Sequence, residues 1–231
     1  MLDWPFLTDV LGQLLSGLPL TLQLAALSLS IGFALAVFAA GAAGSAFSPL
    51  RWAAKAHVEL FRGTPLLLQI FLIYYGLGQI APLRHSALWP FLREPYWCAI
   101  LALALNTSAY TAEIIRGAIQ AVPAHEIEAG RACGMSGLLL RRRIIWPIAL
   151  RQGLAVYGSE AILMIKATSL ASIITLTELT GIAHKLISST YRIFEIFIVT
   201  GAIYLALTFL MSAAFALLER QLQAHHAHRR A

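Results

Sequence analysis

The chain is 231 residues long, 59% hydrophobic and only 12% charged, with a formal net charge of +6. A mean hydropathy of +0.74 excludes an ordinary soluble domain and describes an integral membrane protein. A basic excess on so apolar a chain reads as loop charge that orients it in the bilayer, with no nucleic-acid role implied.

The N-terminal segment MLDWPFLTDV carries Asp3 and Asp9 where a secretory signal carries Lys or Arg. No small-residue cleavage pattern precedes the first long apolar run, so that span is expected to be retained. Runs of roughly 20 apolar residues, enough to cross the hydrocarbon as a helix, lie at Leu18 to Ala42, Leu60 to Leu77, Tyr96 to Ile115, Leu154 to Leu176 and Glu195 to Leu218. The predicted class is an all-α membrane protein with about five transmembrane helices in one domain, 1–231. The last two runs hold Glu160, Lys166 and Glu195, so both are expected to be partly buried in a helix bundle.

Small residues from Ala39 to Gly44 suit close approach by another helix. Arg62-Gly63-Thr64-Pro65 sits inside a helical pattern, where Gly followed by Pro predicts a kink or break, either a surface bend or a hinge used in transport. Asn106, Tyr110 and Glu113 share one face of the third span at i, i+4, i+7, a polar stripe that lines a cavity or clamps a neighbouring helix.

Between the third and fourth spans lies a charged, glycine-punctuated loop, 123–147. Pro123 is a plausible helix starter, and Glu126 and Glu128 fall in the first turns, where the helix dipole favours carboxylates. Gly130 and Gly134 are predicted on one face of that short helix, leaving room for close docking in a groove of a partner. Arg141, Arg142 and Arg143 beside the membrane re-entry mark the cytoplasmic face and suit anionic headgroups.

Glu160 is a carboxylate inside an apolar helix, an expensive placement that marks a substrate pathway in preference to a clamp. On one helix it stands about 240° from Lys166, too far round to pair with it. Cys98 and Cys133 have no metal-ligand spacing and read as small buried hydrophobes. His225, His226 and His228 in the tail lack a fourth ligand, so an exposed terminus is preferred to a metal site.

Lys and Arg set the topology. Arg51 and Lys55, then Arg131 through Arg151, then Arg220, Arg229 and Arg230 fall on one side, against Arg84, Arg93, Lys185 and Arg192 on the other. This bias predicts an outside N-terminus and a cytoplasmic C-terminus. No G-x-x-x-x-G-K-[ST] loop occurs, so the chain has no Walker A site of its own.

Several blocks resemble a known family. Glu128-Ala129-Gly130, then Gly134, Ile144 and Pro147, match the spacing of the EAA loop of ABC importer permeases, with Gly130 in place of the second Ala and Trp146 in place of Leu. Phe61 to Gly76 (FRGTPLLLQIFLIYYG), Ala109 to Pro123 (AYTAEIIRGAIQAVP) and Lys166 to Ser172 (KATSLAS) resemble polar amino-acid ABC permeases, most of all the subfamily for histidine, arginine, lysine, ornithine and opines. Tyr157-Gly158-Ser159-Glu160 departs from the family's Asn-Glu at Ser159.

The resemblance implies an ABC importer type I permease fold, in the bacterial inner membrane, with a cytoplasmic coupling helix carrying Glu128, Ala129, Gly130 and Gly134. It implies two ABC ATPase subunits that bind ATP and Mg, a second permease subunit (self or paralogue) and an extracytoplasmic solute-binding protein. No cofactor or metal is expected in this chain, which is not itself an enzyme. The substrate expected is a polar, basic amino acid or an opine, with Glu160, Asn106, Tyr110 and Glu113 along its path. An ion-coupled secondary carrier is the alternative, although such carriers usually show paired repeats with broken helices; a noncatalytic membrane scaffold subunit leaves the glycine-punctuated loop unexplained.

Overall fold

A segment surrounded by hydrocarbon must satisfy its own backbone N–H and C=O groups, so each long apolar run has to become a helix. The computed structural model describes residues 4–227, with side chains through residue 222, and no strand occurs among them. His228 lies outside the described residues. α1 (Trp4–Leu15) and α2 (Leu18–Ala43) together form the first span. α2 has no charged residue, and its buried positions Thr21, Leu24, Ala25, Ser28, Gly32, Ala36 and Ala39 repeat every three or four residues, the stripe a helix presents to a neighbour.

α3 (Ser48–Gly63) meets the helical stretch Leu66–Gln79, which opens with α4 (Leu66–Phe71), at an angle of 109°. Thr64 and Pro65 are extended there, with ψ of 147° and 134°. Proline cannot donate the next helical hydrogen bond, and it forces its predecessor out of the α region. The break expected at Gly63 to Pro65 is therefore present, and the second apolar run belongs to a bent pair. Beyond α4 the chain runs through a π-helical turn, Leu72–Gly76, and a 3₁₀ turn, Leu77–Gln79, to the short helices α5 (Ala81–Arg84) and α6 (Trp89–Leu92).

α7 (Pro95–Gln120) is the central helix, with 67% of its most apolar window buried. It packs against α2 so closely that a Cβ on Gly32 would collide with the Thr107 methyl group. Ala36 and Ala39 of α2 meet Val58 of α3 and Ala112 of α7, so the small residues serve helix packing.

α8 (Ala124–Ala132) follows, then α9 (Gly137–Leu140), a π-helical turn at Arg141–Ile145, α10 (Trp146–Ala167) and a 3₁₀ segment, Thr168–Ile174. From Gly137 to Ile174 this is one span of 38 residues, beginning well before the expected Leu154. α11 (Leu179–Thr190) and α12 (Ile193–Ala227) complete the chain. The described helices give four spans, or five with the bent pair counted as one.

Two apolar clusters hold these elements together. Leu24, Ile70, Cys98, Ile100, Ala171 and Ile174 join α2, α4, α7 and the 3₁₀ segment. Val10, Leu14, Leu179, Ala183, Ile196 and Ile203 join α1, α11 and α12. The partial burial expected of the last span is slight: 17% of its apolar stretch is enclosed, and Phe194, Phe209 and Leu210 are exposed. Cys98 is buried as expected, whereas Cys133 is exposed at the end of α8.

Candidate functional site

α10 carries Glu160 into the bundle, where the residue is only 9% exposed. Its Oε1 accepts a hydrogen bond from Thr107 Oγ1 of α7 at 2.8 Å. No cation pairs with it: Lys166, on the same helix, is exposed and makes no salt bridge among the described residues. A carboxylate so placed has lost most of its water and has one neutral donor in exchange, an arrangement that leaves it able to attract a cation.

Beside it lies an open cavity of about 530 Å³ between α7 and α10, lined by Arg62, Tyr110, Glu113, Gln152, Ser159 and Glu160 together with apolar residues that include Ile114, Val156 and Leu163. Glu113 is gripped by Arg116, whose Nε donates to both carboxylate oxygens at 2.9 and 3.0 Å and whose Nη2 donates at 2.5 Å. Arg116 Nη1 also reaches Gln120 Oε1 at 2.8 Å. Of the four residues expected along a pathway, Glu160, Tyr110 and Glu113 thus share one cavity.

Asn106 lies elsewhere. It is buried, and its Nδ2 donates to the Phe61 carbonyl at 3.2 Å and to Gln69 Oε1 at 3.0 Å. Gln69 Nε2 donates in turn to the Phe61 and Thr64 carbonyls at 2.9 and 3.1 Å. The break between α3 and α4 frees these carbonyls from helical partners, and the two amides satisfy them, which is the condition for a broken helix at membrane depth. Ser159 lines the cavity beside Glu160, its hydroxyl turned back 3.5 Å from the Ala155 carbonyl.

The glycine-punctuated loop folds as a short helix whose N-cap is Pro123. Glu128 and Ala129 are exposed on it and Gly130 is buried. A Cβ on Gly130 would lie 2.7 Å from Leu140 Cδ1 and 3.4 Å from Ile144 Cγ1, so its small size serves packing of α8 on the chain's own next helix. Gly134 has left the helix, with φ +77°, a conformation that disfavours residues with a Cβ. The two glycines do not form a shared helical face; Gly134 instead turns the chain toward α9.

The whole chain supplies the decisive comparison, because residues 11–224 match the family described as binding-protein-dependent transport system inner membrane component. The chain belongs to this family. Among relatives of this inner membrane component, the octopine transport system permease protein OccM of Rhizobium meliloti is 56% identical over 93% of this chain and 87% of its own length. The nopaline transport system permease protein NocM of Agrobacterium fabrum is 50% identical, covering 97% and 93%. The arginine ABC transporter permease protein ArtM of Haemophilus influenzae is 37% identical, covering 94% and 95%. A solved amino acid ABC transporter with histidines superposes with a TM-score of 0.86 at 36% identity, over 96% of this chain and 99% of that one. The inward-facing MetNI methionine transporter, at 18% identity, shows the fold alone, with a TM-score of 0.67. The type I ABC importer permease fold is therefore the fold of this inner membrane component.

Two residues escaped the reading of the sequence. Thr107, next to Asn106, is the partner of Glu160, and nothing in the spacing of either segment pairs them. Glu178 is fully buried and caps α11, accepting from the backbone N–H groups of Thr180 and Gly181, both at 2.9 Å. An acidic residue directly before Leu179-Thr180-Gly181 is the N-cap signal that could have found it.

Proposed function

We propose that the chain is the permease subunit of an ATP-driven importer that passes basic amino acids or opines by alternating access, with Glu160 attracting the cationic group of the substrate. The observation that carries this reading is a buried carboxylate facing an open cavity with one hydroxyl as its hydrogen-bond partner. The names of the octopine, nopaline and arginine permeases among its relatives support the substrate class.

In this reading two ABC ATPase subunits bind ATP with Mg, hydrolyse it, and dock on α8 through Glu128, Ala129 and the turn at Gly134. A second permease subunit, identical or paralogous, completes the membrane unit. An extracytoplasmic solute-binding protein delivers substrate on the side of the N-terminus, and the C-terminus is cytoplasmic. Tyr110 and Glu113 line the same path, with Asn106 holding the broken helix beside it.

The test is uptake by proteoliposomes that contain the permease, its ATPase and the binding protein. Radiolabelled arginine, histidine and octopine are supplied with internal or external ATP. ATP-dependent accumulation of a basic substrate is expected; accumulation driven by an ion gradient without ATP would establish the secondary-carrier reading instead.

A further inference from the structure

The Arg62 guanidinium enters the cavity from the broken connection between α3 and α4, and the pathway reading assigns it nothing. It stands over the Tyr110 ring, 5.5 Å from the centroid. The carboxylate oxygen nearest to it among the described residues, on Glu113, is 3.8 Å from Nη1, beyond hydrogen-bond length. Glu113 is already occupied on both oxygens by Arg116. Arg62 donates no side-chain hydrogen bond among the described residues, although a guanidinium has five N–H donors.

Arg116, which does not line the cavity, pairs with Glu113, so the Arg62 guanidinium is left as surplus positive charge on this side of the cavity. The other side holds Glu160, whose hydrogen-bond partner is the neutral Thr107 hydroxyl. Tyr110 and Glu113 lie three and six residues beyond Thr107 on α7, which separates the two poles by about 4.5 to 9 Å along the helix axis. A cavity with one pole of each sign fits a zwitterion better than a simple cation. Every amino acid and opine carries at least one carboxylate, the planar group that an arginine fork grips with two parallel hydrogen bonds.

We infer that Arg62 is a specificity-determining residue that binds the substrate's carboxylate while Glu160 faces its cationic end. The inference rests on the reading of this cavity as the substrate pathway. Tyr110 holds the guanidinium in place by cation–π contact, and an incoming carboxylate supplies the close acceptor that Glu113 does not.

The experiment uses the assembled permease–ATPase complex in nanodiscs, without binding protein, so that only the membrane site is read. Equilibrium binding is measured for arginine and for its decarboxylated analogue, which keeps the guanidinium group. The wild type is expected to prefer arginine. Arg62→Gln is expected to weaken arginine binding by about 10- to 100-fold and the analogue by less than about threefold, the loss of a charge-assisted bidentate pair. Arg62→Lys keeps the charge without the fork and is expected to give an intermediate loss for arginine alone.

Equal losses for both ligands in Arg62→Gln, no loss for either, or a wild-type complex that does not distinguish the two ligands would each overturn the assignment. Glu160→Gln separates this from the pathway reading, because it is expected to weaken both ligands. If Glu160→Gln changes neither while Arg62→Gln loses arginine selectively, charge recognition by Glu160 falls and the assignment of Arg62 stands.

Discussion

A Cβ built on Gly17 would stand 2.8 Å from both the carbonyl carbon of Glu178 and the backbone nitrogen of Leu179. The elbow between α1 and α2 therefore rests directly on the start of α11. Thr21, one turn further along, accepts the Leu179 N–H at 3.1 Å, and Tyr204 of α12 donates to Glu178 Oε2 at 3.0 Å. One buried carboxylate thereby joins the first span to the last two helices.

Breaking this junction is expected to cost stability. Glu178→Ala strands two backbone N–H groups in a buried site and leaves the Tyr204 hydroxyl only its contact with Thr180 Oγ1 at 3.0 Å, a loss of roughly 2–4 kcal/mol. Gly17→Ala forces backbone apart and is expected to cost about 1–3 kcal/mol. Thermal unfolding of the purified complex in detergent reads both; melting at the wild-type temperature for either variant would remove the junction from the structural account.

The bent helix makes a second prediction. Asn106→Ala deletes a donor to Phe61 O and to Gln69 Oε1 and leaves Gln69 to serve the break alone. A loss of about 1–3 kcal/mol is expected, with Asn106→Asp worse than Asn106→Gln, because a carboxylate would face two acceptors. Protease protection near Gly63 and the yield of assembled complex measure it. If instead Asn106→Ala assembles normally and loses only substrate binding, Asn106 belongs to the pathway.

Much of the fold was legible because hydropathy and helix length are coupled by the bilayer, and Pro65 announced the break. The start of the long span at Gly137 was hidden. Arg141, Arg142 and Arg143 lower the local hydropathy, yet long basic side chains lie along a helix surface and reach water, so the helix passes through them. The i, i+4, i+7 stripe did place Tyr110 and Glu113 on one cavity, but Asn106, a turn earlier, meets the α3–α4 break. Thr107 with Glu160, and Gly17 with Glu178, are distant in sequence and met only once the helices had packed.

Docking of α8 on an ATPase predicts a separation of functions. Glu128 is exposed on that helix, so Glu128→Lys is expected to leave the spans inserted while substrate-stimulated ATP hydrolysis and uptake fall at least tenfold, through a reversed charge in the contact. Gly134→Asp adds backbone strain of about 1 kcal/mol at φ +77° and is expected to uncouple as well. Normal coupling in both variants would remove α8 from the ATPase interface.

Topology is tested by labelling. Replacing the exposed native Cys133 by Ser and placing a cysteine at the exposed Ser136 gives a single accessible reporter beside the Arg141 cluster. An impermeant thiol reagent is expected to spare it in intact cells and to label it in inverted vesicles. Labelling in intact cells would reverse the orientation of the whole chain.

Glu160 carries the last prediction. Glu160→Gln keeps the shape of the side chain and an acceptor for Thr107 Oγ1, which lies 2.8 Å away, while removing the charge that faces the cavity. Uptake per assembled complex is expected to fall about tenfold or more for a cationic substrate, as one charge-assisted contact is lost. A neutral substrate has no cation to lose, so its uptake should change little. Thr107→Val, which removes the neutral donor and leaves the carboxylate, separates the two contributions: it is expected to perturb assembly and rate modestly without altering the preference for charge. Equal losses for basic and neutral substrates in Glu160→Gln, or a primary fall in assembly, would make this carboxylate a clamp between α7 and α10.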